Sequence, residues 1–410
     1  MATLRPFRAL RPTREDAPAI AAVPYDVVNA DEARALANGN PLSFLRVSRA
    51  ELELPSGTNP YADEVYGRAV SNFDLLKASS LVVEDEPSVY FYRLSVPGHE
   101  QTGVAGCFNL DEYDSGVIKK HERTRRDKED DRTRHMIDLG AQTGPVFLTY
   151  RSAADVDAIG SRATASDPLY DFTAPDGVRH TIWRVSSGDL DELVGAFSRV
   201  PALYIADGHH RAASAARARD AFRDGRTARP SLGDGADHNT FLGVAFPHDQ
   251  VRILAYNRIV KDISPLTLDQ FLQAAQERFE LETGPAAPAR RGVIAMYGGG
   301  RWRTLRPRSK PATTDAIGSL DVSVLQEQLL SPVLGIKDVT TDKRIDFVGG
   351  ARGTAELEAL VDSGKAVLAF SMFPVSVADL MAVSDAGAIM PPKSTWFEPK
   401  LRDGLLIHLI

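Results

Sequence analysis

Asp207, Gly208, His209, His210 and Arg211 bring an acid, a glycine, two imidazoles and a guanidinium into five consecutive positions. Two further polar groupings stand out: KKHERT at 119–124, and PPKST at 391–395 with Lys400 close behind. Together they supply carboxylates, histidines, cations and hydroxyls. That inventory suits phosphoryl transfer, in which cations hold phosphate, one carboxylate takes a proton from an acceptor hydroxyl and another holds Mg²⁺. Each grouping also has a plainer reading. Asp207 can simply cap a helix, HERT can open a solvated charged helix, and PPKST can be a rigid turn. His209 and His210 could ligate a metal. Adjacent residues face different ways in a strand or a helix, however, and no HExxH or Cys/His set accompanies them. No GxxxxGK[ST] occurs, which excludes a P-loop.

The flanks show how the 207–211 stretch is held. Upstream, Pro201 bounds the apolar run PALYI, which reads as a short buried strand. Downstream, AASAARARDAF is alanine-rich and reads as a helix. The five residues therefore sit at a strand-to-helix turn, where Gly208 can take a backbone conformation closed to other residues. The first N–H groups of a helix lack internal partners and carry the positive end of its dipole. Arg211 adds a fixed charge. Such a turn suits an anion, above all a phosphate.

Other segments fill in the scaffold. SVYFYRLSV and TGVAGCFNLDEY read as strands paired about PGHEQ, PVFLTY as a strand, and DFTAPDGVRHTIWRV as a hairpin. FLGVAFPHDQVRILAYNRIV reads as a second hairpin, and LDQFLQAAQERF as an amphipathic helix. The glycines at 298–300 read as a hairpin turn, and the charged stretch 119–134 mostly as a solvated helix. This alternation, with its hairpins, points to an α+β or mixed α/β fold.

A chain of 410 residues implies two or three domains. With 43% hydrophobic and 25% charged residues it has an ordinary globular composition. A net charge of −7 argues against a general nucleic-acid binder. The single Cys107 cannot form an internal disulfide and reads as a small buried residue. MATLRPFRAL shows no apolar signal region, and no apolar run approaches the ~20 residues of a membrane span. The cytoplasm is the expected compartment.

VPYDVV at 23–28, HERT at 121–124, ADGHHR at 206–211 and MPPKSTWFEPKL at 390–401 occur in that order. The set resembles the free serine kinases of the ParB/sulfiredoxin-like fold. The whole chain resembles a widespread bacterial and archaeal family related to them, long known only as a conserved domain of unknown function. The resemblance implies a ParB/sulfiredoxin-like core with additional N-terminal and C-terminal α/β parts. Its expected divisions are an N-terminal region at 1–105, a nucleotide-binding core at 106–262 with an insertion near 145–198, and a region at 263–410 that completes the substrate pocket.

The implied activity is transfer of a phosphoryl group from ADP or ATP, with Mg²⁺, to the hydroxyl of free L-serine or a similar hydroxy compound. Residue by residue, the resemblance implies Glu122 as catalytic base and Asp207 beside the acceptor hydroxyl or Mg²⁺. It places His121, Gly208, His209, His210 and Arg211 around the donor phosphates, and Lys393, Ser394 and Thr395 on the amino acid. No residue is assigned as a protein metal ligand. The implied partners are a nucleotide and a small hydroxy amino acid, with neither membrane nor nucleic acid expected and the oligomeric state open. Departures are the longer gap between Glu122 and Asp207 and the additional N-terminal region. A sulfiredoxin would need cysteine where His209 stands. A ParB-like nucleotide switch would need a basic helix-turn-helix after Arg211, where one arginine-bearing helix is read. That switch, or a regulator that binds ligand without turnover, is the alternative reading.

Overall fold

Pro97 and Gly98, the latter at φ 74°, turn the strand Tyr90–Val96 back into His99–Asn109 as an antiparallel hairpin. In the computed structural model, which describes residues 1–227, 237–309 and 316–410, this hairpin lies within a nine-stranded mixed sheet. Beyond His99–Asn109 come Thr240–Pro247, Val146–Tyr150, Leu203–Asp207 and Ile118–Lys119. Beyond Tyr90–Val96 come Arg179–Arg184 and Tyr170–Thr173, the expected hairpin about Pro-Asp-Gly. Leu203–Asp207 runs antiparallel to Val146–Tyr150 and parallel to Ile118–Lys119. The fold is α+β.

The helix His209–Arg223 follows Leu203–Asp207 and buries eleven of its fifteen residues. Ala212, Ala215, Ala218 and Phe222 share a core with Val146, Leu148, Ile205 and Phe241. Small side chains let the helix approach the sheet, and burying Phe222 contributes about 2–3 kcal/mol. A second helix, Arg126–Leu139, ends at Gly140 in the left-handed conformation, φ 62°. It starts later than the charged run at 119–134, so HERT lies in the connection that precedes it. One face is not solvated, because Asp131 and His135 are buried.

The chain packs as two compact units, Met1–Val251 with Pro399–Ile410, and Arg252–Glu398. The division expected after residue 105 falls inside the strand His99–Asn109, and the one expected after 262 lies past Val251. The expected hairpin at 241–260 is not formed. Thr240–Pro247 already has a partner on each side, Val146–Tyr150 and His99–Asn109. Tyr256–Val260 instead pairs with Ile345–Gly349 and Leu368–Ser371 in the second unit. That unit holds a six-stranded sheet, in which Gly299 and Gly300, at φ 61° and 73°, turn Ile294–Gly298 into Arg301–Pro307. The last residues return to the first unit, where His408–Leu409 pairs with Ala141–Gln142 and Asp403 bridges to Ala22.

Candidate functional site

The register of Leu203–Asp207 against Val146–Tyr150 shifts between Ile205 and Asp207. Such an irregularity re-aims the side chain at the strand end. Gly208 follows at φ 93° and ψ 28°. A Cβ there would meet only ordinary van der Waals neighbours, Arg211 Nε and Val146 Cα at 3.4 Å, so the positive φ rather than crowding demands glycine. The first helical bond runs from Ala212 N–H to the Gly208 carbonyl, 3.1 Å. Asp207 Oδ1 accepts from Gly208 N at 2.9 Å, and Oδ2 accepts from Lys400 Nζ at 2.8 Å. Burial opposes its charge, but Lys400 and Arg211 hold the carboxyl well below the usual carboxylate range. Asp207 is therefore ionised, with both oxygens engaged, and it fixes an ammonium group at the turn.

His121 and Glu122 approach the same turn from the strand Ile118–Lys119. The His121 N–H donates to His209 Nε2 at 3.3 Å, and the two rings meet edge to face, centroids 4.4 Å apart. The His121 ring is bonded to the Ile205 carbonyl, while its Nδ1 is buried without a partner. Burial pushes His121 down to about 4, with the Ile205 carbonyl and Asp207 opposing. Burial, with His121, His210 and Lys120 nearby, pushes His209 well below its usual value. Both imidazoles are neutral near pH 7 and bring no positive charge to a phosphate. Glu122 Oε2 stands 3.8 Å from His209 Nδ1, and its side chain is 42% exposed.

Arg211 is turned inward. Its Nη1 donates to the Pro145 carbonyl, and its Nε is buried without a partner. Burial lowers its basicity, but Asp26, Asp403 and Asp207 more than restore it. Asp403 itself is buried, with Oδ1 unpartnered, and a Cβ on Gly144 would run into that oxygen. Burial pushes the Asp403 carboxyl up to about 7, with Arg211 opposing and Asp26 adding. Burial likewise pushes the Tyr25 hydroxyl upward, and the Arg132 guanidinium lies over the Tyr25 ring at 4.3 Å. Tyr25 and Asp26 of VPYDVV thus belong to the charge cluster around Arg211.

Of the expected site residues, His121, Glu122, Asp207, Gly208, His209 and Arg211 meet at this turn. His210 Nε2 accepts from Arg125 N–H at 3.0 Å and ties the HERT connection to the helix. Lys393, Ser394 and Thr395 belong to the second unit. There Lys393 has φ 57°, its carbonyl accepts from Arg258 Nη2 at 3.1 Å, and the Ser394 hydroxyl donates to the Pro391 carbonyl at 2.5 Å. Two residues not assigned from the sequence join the turn, Lys400 and Asp403. A usable signal was there: Lys400, Arg402 and Asp403 open the mostly apolar closing run KLRDGLLIHLI.

His121, Glu122 and His209 each offer a ligand atom within 4.8 Å of the others. They do not make a Mg²⁺ site, because Mg²⁺ takes oxygen ligands and this trio supplies one carboxylate. Asp207 has both oxygens engaged.

The chain belongs to the family described as "Protein of unknown function (DUF1015)", whose model matches residues 4–323. No curated protein matches the sequence. Among solved structures, it is similar to a conserved hypothetical protein from Pyrococcus furiosus, at 13% identity and TM-score 0.37, over 74% of this chain and 95% of that one. It is similar to a free serine kinase in complex with AMP, at 13% identity and TM-score 0.37, over 73% and 91%. It is also similar to SbnI with a C-terminal truncation from Staphylococcus aureus, at 11% identity and TM-score 0.39, over 73% and 85%. At these scores the likenesses carry no argument about activity.

Proposed function

We propose that the chain is a small-molecule phosphotransferase, which moves a phosphoryl group from ADP or ATP to the hydroxyl of free L-serine or a similar hydroxy compound. One observation carries this reading. A solvent-reachable carboxylate, Glu122, stands beside a strand-to-helix turn at which Asp207 holds the Lys400 ammonium, with Arg211 behind it. The helix N-terminus and the two cations favour the anionic donor. Glu122 supplies the base.

In the reaction, the acceptor hydroxyl gives its proton to Glu122 as its oxygen bonds the terminal phosphorus of the donor. The bond from that phosphorus to the bridging oxygen breaks, and the shortened nucleotide leaves with the electron pair. Lys400 and the N–H groups of the turn meet the charge on the transferring oxygens, the role that cations and oriented amides play in such transfers. Arg211 acts from beneath through its charge. Acceptor binding by Lys393, Ser394 and Thr395 is proposed on the motif resemblance alone.

The test is to incubate the purified protein with Mg²⁺, ADP or ATP and L-serine, and to detect phosphoserine by mass spectrometry. Phosphoserine with either donor supports the reading. Nucleotide binding without product from serine or other small alcohols would favour the regulator that binds without turnover.

A further inference from the structure

We propose that His209 is not a phosphate ligand but the positioning residue of Glu122, held as one neutral tautomer with its proton on Nδ1. The proposal rests on the phosphotransferase reading for its kinetic consequence, but not for its structure.

Three observations converge. His209 Nε2 accepts the His121 backbone N–H at 3.3 Å. A neutral imidazole that accepts on one nitrogen carries its hydrogen on the other. That other nitrogen, Nδ1, faces Glu122 Oε2 at 3.8 Å, so a small movement of the half-exposed carboxylate closes a hydrogen bond. His209 itself cannot follow solvent or turn over. It is 4% exposed, and the His121 ring packs edge-on against it. The arrangement resembles in logic the orienting of a catalytic base by a third, buried group.

The same tautomer argues against a cation held by His121, Glu122 and His209. Ligation needs a bare lone pair on Nδ1 of His209, which would place the hydrogen on Nε2 against the His121 N–H. His121 has such a bare pair on its own Nδ1, but with Glu122 it makes only two ligands.

Histidine-selective ¹⁵N NMR on the unliganded wild type reads the tautomer directly, with the His209→Asn spectrum for assignment. The expected result is a protonated Nδ1 and a bare Nε2 for His209 across pH 5–8, unmoved by added Zn²⁺. A proton on Nε2 overturns the proposal. So does stoichiometric Zn²⁺ that shifts His121 and His209 together. Kinetically, His209→Asn keeps an N–H near the Nδ1 position, whereas His209→Gln places its amide near Nε2. We expect His209→Gln to lower kcat by about tenfold or more with little change in nucleotide KM, and His209→Asn to recover most of it. Equal losses in both variants overturn the positioning role. If the wild type transfers no phosphate, the functional reading fails, while the NMR result still decides the tautomer.

Discussion

Replacing Asp403 by asparagine removes a buried acid whose ionisation the fold resists. The Asp403 carboxyl is pushed from 3.8 up to about 7, first by burial and further by Asp26, with Arg211, Arg132 and Arg402 opposing. A rise of roughly 3 units at 1.36 kcal/mol per unit is about 4 kcal/mol. The sign follows from proton binding. In the unfolded chain Asp403 releases its proton near pH 4, while in the fold it keeps it to about pH 7. Between those values the native state binds more protons, so stability falls as pH rises, and above pH 7 this contribution is flat. The wild type should therefore lose up to about 4 kcal/mol from this group between pH 4 and pH 7, and Asp403→Asn should lose none of it. Urea unfolding gives the difference, provided the first unit has its own reporter. With Trp302 and Trp396 changed to Phe, the remaining tryptophan is Trp183, on the strand Arg179–Arg184 of the first unit. Parallel pH profiles of the two proteins, with a stability difference constant within about 0.5 kcal/mol from pH 4.5 to pH 8, would refute the reasoning.

Gly208→Ala should destabilise the first unit by about 1–2 kcal/mol, the cost of a left-handed non-glycine residue, because its Cβ meets nothing closer than 3.4 Å; the same urea assay measures it. Lys400→Met leaves Asp207 with an unpaired oxygen in a partly buried pair, between an exposed and a buried ion pair in worth, so a loss of about 2 kcal/mol is expected. The same variant should weaken ADP or ATP binding by about tenfold or more in calorimetry. Ser394→Ala removes the hydroxyl bond to the Pro391 carbonyl, at about 1 kcal/mol. If Ser394 also serves the acceptor, the KM for serine rises while nucleotide affinity stays unchanged.

Much of the turn was legible because its cues are local. Pro201, the apolar PALYI, Gly208 and the alanines after Arg211 each dictate conformation within a few residues, and the hairpins at Gly98 and at Gly299 and Gly300 are of the same kind. Pairing over distance was not legible in this way. Alternation in 241–260 suits a hairpin as well as two strands in separate sheets, and the partners that decide, His99–Asn109 and Leu368–Ser371, lie more than a hundred residues away. Arg211 reads as a phosphate-facing cation on a polar helix, but the acids that draw it inward, Asp26 and Asp403, come from the two ends of the chain. Lys400 reaches Asp207 across 193 positions, a pairing that no local pattern encodes. His209 reads as a phosphate-binding imidazole until its burial and its bond to the His121 N–H are known.

The central claim is that Glu122 takes the acceptor proton at the Asp207 turn. The most direct measurement compares wild type and Glu122→Gln in the same assay with Mg²⁺, ADP or ATP and L-serine, with phosphoserine followed by mass spectrometry and nucleotide affinity by calorimetry. The account predicts turnover reduced by roughly a hundredfold or more, with nucleotide affinity nearly unchanged. Full turnover in Glu122→Gln would contradict it.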